Sequence, residues 1–144
     1  MNFAYNAPPS IRFGRGVLGE IGKKSLSLGA KNALVVTSPG MLGRSSLGTV
    51  LSSLEEAGLG SQVFARISPD PPIEEAELCL GAINESEADL VIGLGGGSAM
   101  DVAKIAAMLA CNPLSIRDYF GVGKVSRPGL PTILAPTTAG SGSE

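Results

Sequence analysis

Asp89-Leu90-Val91-Ile92-Gly93-Leu94-Gly95-Gly96-Gly97-Ser98 runs from an apolar segment straight into three consecutive glycines, and then into a stretch with helical periodicity. The run Leu90-Val91-Ile92 does not alternate with polar residues, so as a strand it has both faces covered by helices, the environment of a parallel sheet. Beyond the glycines, Val102, Ile105, Ala106 and Leu109 recur at the spacing of one helical face. A strand passing through a glycine turn into a helix is a phosphate cradle. Glycines let the backbone approach a ligand closely, and the free N–H groups and dipole of the helix start favour an anion there. Gly95, Gly96 and Gly97 are the candidate binding residues, and Ser98 adds a hydroxyl. A tight turn without a ligand is the alternative, but one or two glycines suffice for that, and three in a row raise the entropy lost on folding.

The same alternation of short apolar runs and amphipathic stretches extends in both directions and gives β-α-β units around one parallel sheet. Strands are predicted over residues 10–13, 32–37, 62–67, 89–94 and 132–135, and helices over 17–28, 43–57, 73–86 and 98–110. Leu47, Val50, Leu51 and Leu54 form the apolar face of the second helix. Gly29 and Gly58 stand where a helix C-terminus favours a left-handed residue. Ser68-Pro69-Asp70-Pro71-Pro72 is a rigid loop at one end of the sheet.

Two further groups carry chemistry. Ser98 and Asp101 have the spacing of a helix capping pair, so each is read either as a cap or as a ligand contact, and Lys104, one turn on, either reaches a ribose or phosphate or is a solvated helix residue. Ala135-Pro136-Thr137-Thr138-Ala139-Gly140-Ser141-Gly142-Ser143-Glu144 follows a strand directly, which puts its small and hydroxyl residues at the carboxyl edge of the sheet, where open α/β folds bind ligands. A flexible surface loop is the alternative. Gly22-Lys23 is followed by Lys24 rather than Ser or Thr, and Gly123-Lys124 lacks the glycine spacing, so a nucleotide-hydrolysing P-loop is disfavoured.

Composition narrows the field. The chain has 144 residues, the size of one domain, with 11 basic and 13 acidic residues and a net charge of −2, which leaves no basic footprint for a nucleic acid. No apolar run approaches the roughly 20 residues of a membrane span. Met1-Asn2-Phe3-Ala4-Tyr5-Asn6 does not read as an export signal, so the expectation is a soluble, cytoplasmic protein with neither nucleic-acid nor membrane partners. Cys79 and Cys111 stand in no ligand spacing and read as reduced thiols. There is no histidine, which removes the commonest metal ligand and general base and excludes His-dependent triads and zinc fingers. The chain ends inside a glycine-rich turn, and the expectation is an imposed break in a dinucleotide-binding domain that fills residues 1–144.

Together, Gly95-Gly96-Gly97-Ser98-x-x-Asp101-x-Ala103-Lys104 and Pro136-Thr137-Thr138-Ala139-Gly140-Ser141-Gly142-Ser143-Glu144 resemble the iron-containing alcohol dehydrogenase family. Ile11-Arg12-Phe13-Gly14-x-Gly16, Val35-Val36-Thr37-x-Pro39-Gly40 and the proline loop around Pro71 agree, so the resemblance covers the whole chain in order. It implies an α/β, Rossmann-like parallel sheet flanked by helices, the N-terminal half of a dehydroquinate synthase-like fold. The C-terminal helical, metal-binding domain of such proteins would be absent. It further implies NAD or NADP as cofactor, with a divalent metal, Fe or Zn, only in the full-length enzyme, which would interconvert an alcohol and an aldehyde or ketone by metal-assisted hydride transfer. By carry-over, Gly95, Gly96, Gly97 and Ser98 hold the pyrophosphate, Asp101 and Lys104 lie near the nicotinamide, and Thr137 and Thr138 line the cofactor cleft. No catalytic residue and no metal ligand falls within the chain, which by itself is expected to be inactive. The implied partner is a small alcohol or carbonyl substrate, and the resemblance suggests a homodimer. A glycerol dehydrogenase-like or dehydroquinate synthase-like relative, or a non-catalytic nucleotide-binding module, is the alternative, and the segment from Thr137 to Glu144 argues for the alcohol dehydrogenases.

Ser38 follows the strand over residues 32–37. A carboxylate at the end of such a strand accepts hydrogen bonds from the ribose 2′-hydroxyl and selects NAD. Many members of the resembled family carry Asp at this position, but this chain has Ser, with Arg44 a few residues on. Ser38 is thus a cofactor-binding candidate that favours acceptance of NADP, or else an ordinary turn residue.

Overall fold

A computed structural model describes residues 8–144, so residues 1–7, where no export signal is read, lie outside the described residues. Four strands, β1 (Asn32–Val36), β2 (Gly60–Phe64), β3 (Leu90–Gly95) and β4 (Thr132–Pro136), pair in parallel in the order β2-β1-β3-β4. Four helices, α1 (Ile21–Ser27), α2 (Ser45–Glu56), α3 (Ile73–Glu85) and α4 (Gly97–Cys111), cover the sheet.

The two faces follow from the period of two along each strand. Leu34, Val36 and Val91 pack with residues of α3 and α4, including Ala76, Cys79, Val102 and Ala106. Ala33, Val35, Leu90, Ile92 and Leu94 point the other way and pack with α1 and α2 through Ile21, Leu47, Val50 and Leu54. β3 is buried along its entire length, and β1 from Ala33 on, as their non-alternating sequences require. Each buried Leu or Ile contributes roughly 1.5–3 kcal/mol. Asp89 closes the lower end of β3 by accepting the Lys31 and Asn32 backbone N–H groups at 3.0 Å. The result is the parallel sheet that the sequence pattern implies, with the Rossmann-like form that the family resemblance implies.

Several boundaries differ from expectation. Residues 10–13 form no strand: Ile11 is 76% and Phe13 fully exposed, and no strand of the described residues lies alongside to satisfy a ladder. β2 lies at Gly60–Phe64 rather than over 62–67, because it is an edge strand with only Phe64 buried and so has little pattern to read. The first predicted helix opens as a 3-10 turn, Val17–Glu20, before α1. The second begins at Ser45, since Gly43, at φ +79°, stands outside it. Gly29 and Gly58 adopt left-handed φ of 82° and 73° just past α1 and α2, as expected. A 3-10 turn at Ile116–Tyr119, capped reciprocally by Ser115 and Asp118, breaks the long connection to β4 and was not anticipated.

Candidate cofactor-binding site

The strand order places a reversal of direction between β1 and β3. From β1 the chain steps outward to β2, and then crosses back to β3 and continues to β4 on the other side. The loops leaving β1 and β3 at their carboxyl ends therefore diverge, and in open α/β sheets the crevice so formed is where ligands bind.

Gly95 ends β3 at φ +151°, a backbone conformation that L side chains rarely adopt, and lets the chain swing directly into α4. Gly96 is different. Its φ of −80° and ψ of −174° suit any residue, and a Cβ there would touch the protein only at Thr138 Oγ1, 3.6 Å away. Its bareness serves the open space above the helix start rather than the fold. Gly97 makes room for the C-terminal loop, since its Cβ would lie 3.1 Å from Ser143 Oγ. The first helical bond of α4 runs from Met100 N–H to Gly96 O at 3.2 Å, and no side chain caps the helix. The N–H groups of the first turn, Ser98 among them, are thus left for an outside acceptor, with no acidic residue there to repel an anion.

Because Gly96 is the N-cap, Ser98 stands two residues inside the helix, and neither it nor Asp101 caps α4. Asp101 instead accepts a hydrogen bond from Ser143 Oγ at 3.1 Å and pairs with Lys104 Nζ at 3.0 Å, while Lys104 Nζ donates to Ser143 O at 2.7 Å. This knot holds the loop after β4 against α4 and buries Ser143.

On the other side of the glycine turn, Thr37 is buried, donates from Oγ1 to Leu94 O at 2.6 Å and from its N–H to Phe64 O at 2.9 Å, and so pins the end of β1 to both neighbouring strands. Ser38 follows at the mouth of a cleft of about 440 Å3, lined by Ser38, Gly40, Met41 and Arg44 after β1 and by Thr137 and Thr138 after β4. That volume lies in the usual range for small-molecule and cofactor sites. Ser38, Thr137 and Thr138 are therefore brought together, the glycine turn adjoins them through Thr138, and Asp101 and Lys104 stand one turn into α4. Gly40, Met41 and Ser46, which also reach the cleft, were missed by sequence reasoning; their one signal was position after a strand end beside the glycine loop, visible only once strand order is known.

The donor set does not suit a metal. With no histidine in the chain, no group of three or more Cys, Asp or Glu side chains gathers among the described residues. Nor is there a reactive thiol at the site: burial pushes Cys79, on α3, up to about 12. No helix among the described residues is long and apolar enough to cross a membrane.

A family model described as iron-containing alcohol dehydrogenase matches residues 8–144. Long-chain-alcohol dehydrogenase 1 of Geobacillus thermodenitrificans is 40% identical over 140 residues, which cover 95% of this chain and 35% of that protein. Among solved structures, a 1,3-propanediol oxidoreductase matches with a TM-score of 0.97 and 28% identity, over 100% of this chain and 38% of that one. Sulfoacetaldehyde reductase from Bifidobacterium kashiwanohense, in complex with NAD+, matches with a TM-score of 0.88 and 36% identity, over the same shares of the two chains. The chain thus spans little more than a third of the length of these relatives.

Proposed function

This chain belongs to the iron-containing alcohol dehydrogenase family, and from that premise we propose that it is the dinucleotide platform of an NAD- or NADP-dependent oxidoreductase that interconverts a small alcohol and its aldehyde or ketone. The observation that carries the reading is the uncapped start of α4 behind Gly96, a position bare of side chain for no backbone reason, opening beside the β1–β3 crevice. A pyrophosphate fits there: it is an anion needing close backbone approach and several donors, and the first turn of α4 offers both.

The chain's own residues bind and orient. Gly95 sets the direction of α4, and the N–H groups of Gly97 and Ser98 donate toward the diphosphate. Thr137 and Thr138 from one side and Ser38 from the other enclose the adenosine half. The Asp101–Lys104–Ser143 knot holds the β4 loop over the first turn of α4, and on this reading Asp101 and Lys104, one turn beyond the diphosphate, face the nicotinamide half. A bound nicotinamide dinucleotide supplies the hydride acceptor or donor, which no amino-acid side chain can. The family's divalent metal, Fe or Zn, finds no ligand set among the described residues, and polarisation of the substrate oxygen is assigned to none of them.

The test is Gly96→Val. The backbone there accepts any residue and the nearest protein atom is at ordinary contact distance, so the variant is expected to fold with an unchanged unfolding midpoint while its isopropyl group fills the space above the helix start. Calorimetric titration with NADH is expected to show binding to the parent chain and none to the variant. Equal affinity in a folded Gly96→Val chain refutes the reading.

A further inference from the structure

On the reading that the start of α4 binds a diphosphate, we propose that Thr37 is a positioning residue for it: the Thr37 hydroxyl sets the peptide plane from which the glycine turn starts, and so aims the N–H groups of Gly97 and Ser98 without touching the ligand. The glycines make such a device necessary. Gly95, Gly96 and Gly97 have no Cβ to restrict them, and each can take either sign of φ at little steric cost. A turn that wanders does not present its donors in one geometry, and ordering it on binding lowers affinity.

The turn is held from both sides. A peptide group is planar, so fixing its carbonyl also fixes the N–H across the bond. Thr37 Oγ1 donates to Leu94 O at 2.6 Å, which holds the Leu94–Gly95 plane, and Thr137 N–H donates to Gly95 O at 2.8 Å, which holds the Gly95–Gly96 plane. Gly95 Cα stands between these planes, and its φ of +151°, which directs the chain into α4, is set by the two together. The Thr137 tie is backbone, and any residue but proline would make it. The Thr37 tie is the one side-chain hydrogen bond to the backbone of residues 94–98 among the described residues.

Closing the sheet does not need that hydroxyl. The pairing of β1 with β3 already runs to Val36 opposite Gly93. The Thr37 N–H and carbonyl are both spent on the β2 side, where the N–H donates to Phe64 O at 2.9 Å and the carbonyl accepts from Ile67 N–H at 3.4 Å. Thr37 is fully buried and follows Ala33-Leu34-Val35-Val36, where a valine of the same shape would avoid burying a hydroxyl. The side chain is thus polar for the sake of Leu94 O, and its complete burial keeps it out of reach of a dinucleotide.

The experiment is calorimetric titration of the full chain with NADH, on the parent, Thr37→Val and Thr37→Ser, each checked for folding by circular dichroism. Val keeps the shape and loses the hydroxyl, whereas Ser keeps the hydroxyl and loses the methyl. Thr37→Val is expected to weaken NADH binding by about tenfold, the weight of one hydrogen bond, and Thr37→Ser to stay within about threefold of the parent. Amide proton–nitrogen correlation spectra without ligand give a second readout. The Gly95, Gly96 and Gly97 signals are expected to broaden or double in Thr37→Val and to stay single in Thr37→Ser, the reverse of what a role in packing alone would give. Parent-like affinity in a folded Thr37→Val, or single sharp glycine signals in it, overturns the positioning role and leaves the diphosphate reading standing. If Thr37→Val does not fold, Thr37→Ser decides: a loss of about tenfold there, with the hydroxyl retained, overturns the role. Failure of the parent to bind NADH overturns both.

Discussion

Gly93→Ala tests whether α4, and with it the proposed diphosphate site, is seated on β3 as tightly as the structure has it. Gly93 lies in the middle of β3, and a Cβ there would stand 3.0 Å from Leu134 Cδ2, 3.1 Å from Ala103 Cβ and 3.1 Å from Met100 Cα. Carbon atoms at rest sit about 3.5–4.0 Å apart, so the new methyl is short by about half an ångström on three sides at once. Leu134 can swing at its tip, but Met100 Cα is helix backbone and Ala103 has no rotamer to change, so α4 itself must move off the sheet. Overpacking of this kind costs roughly 1–3 kcal/mol. Against it stands the lower chain entropy of an unfolded alanine, about 0.4–1 kcal/mol, because Gly93 is not among the left-handed glycines. The net expectation is destabilisation by about 1–2 kcal/mol, a visible part of the roughly 5–15 kcal/mol that holds a domain together. Urea unfolding followed by far-ultraviolet circular dichroism reads it as a lower midpoint at constant slope. If, as proposed, the first turn of α4 donates to the diphosphate, NADH affinity falls along with stability, whereas Gly96→Val is expected to lower affinity alone. An unchanged or raised midpoint in Gly93→Ala would refute the close seating of α4 and the contrast drawn between the two glycines.

Cys79 is expected to resist a thiol reagent at pH 8 in the folded chain while Cys111 reacts, since burial pushes the Cys79 thiol from 9.0 to about 12 and the thiolate is the nucleophile; counting labelled thiols with and without urea checks it, and two fast thiols without urea would contradict it. The same shift sets a sign for alkaline stability: from about pH 9 to 12 the unfolded chain gives up the Cys79 proton before the folded one, so the unfolding free energy falls with rising pH through that window, and Cys79→Ala is expected to flatten the slope seen in melts across it. Residues 1–144 by themselves are expected to oxidise no ethanol or butanol with NAD or NADP, because none of the described residues forms a metal site that could polarise the alcohol oxygen; steady dinucleotide reduction by the purified chain is the contrary result.

Much of the architecture was legible because buried parallel strands have to be apolar on both faces. Ala33-Leu34-Val35-Val36 and Leu90-Val91-Ile92 could not be solvent-exposed on either side, and both are central strands. Legibility failed where a segment's state depends on its neighbours. Ile11-Arg12-Phe13 alternates as a strand does, yet no strand edge of the described residues stands beside it, and pattern cannot supply a partner. β2 was displaced by two residues or more at each end because an edge strand with one buried residue carries almost no period. At the site, the glycine turn announced itself, since three adjacent glycines need a physical reason. Ser98 and Asp101 were open to a capping role only while the helix start was unknown; placing the N-cap at Gly96 removes that role. Gly40, Met41 and Ser46 were invisible because their membership in the cleft depends on β1 lying next to β3, a pairing across more than fifty residues of sequence.

The knot around Lys104 changes where the site's positive charge resides. As a bare sequence feature, a lysine one turn into the helix behind a glycine loop looks like the phosphate's counter-ion. In the structure its ammonium is shared between Asp101 Oδ1 and Ser143 O, and its charge is offset by a carboxylate 3.0 Å away. The pair is about half exposed and contributes little to stability on its own, but it leaves the start of α4 with little net side-chain charge, so attraction for a diphosphate there falls to backbone N–H groups and the helix dipole. Those donors are uncharged and fixed, so under the proposed function a diphosphate is met there by backbone geometry rather than by a side-chain cation. Arg44, by contrast, lines the cleft on the far side of the glycine turn with its terminal nitrogens unpaired among the described residues. Full charge is thus kept away from the uncapped start of α4, where the Lys104 ammonium is offset by Asp101, and is carried instead by Arg44 in the cleft after β1.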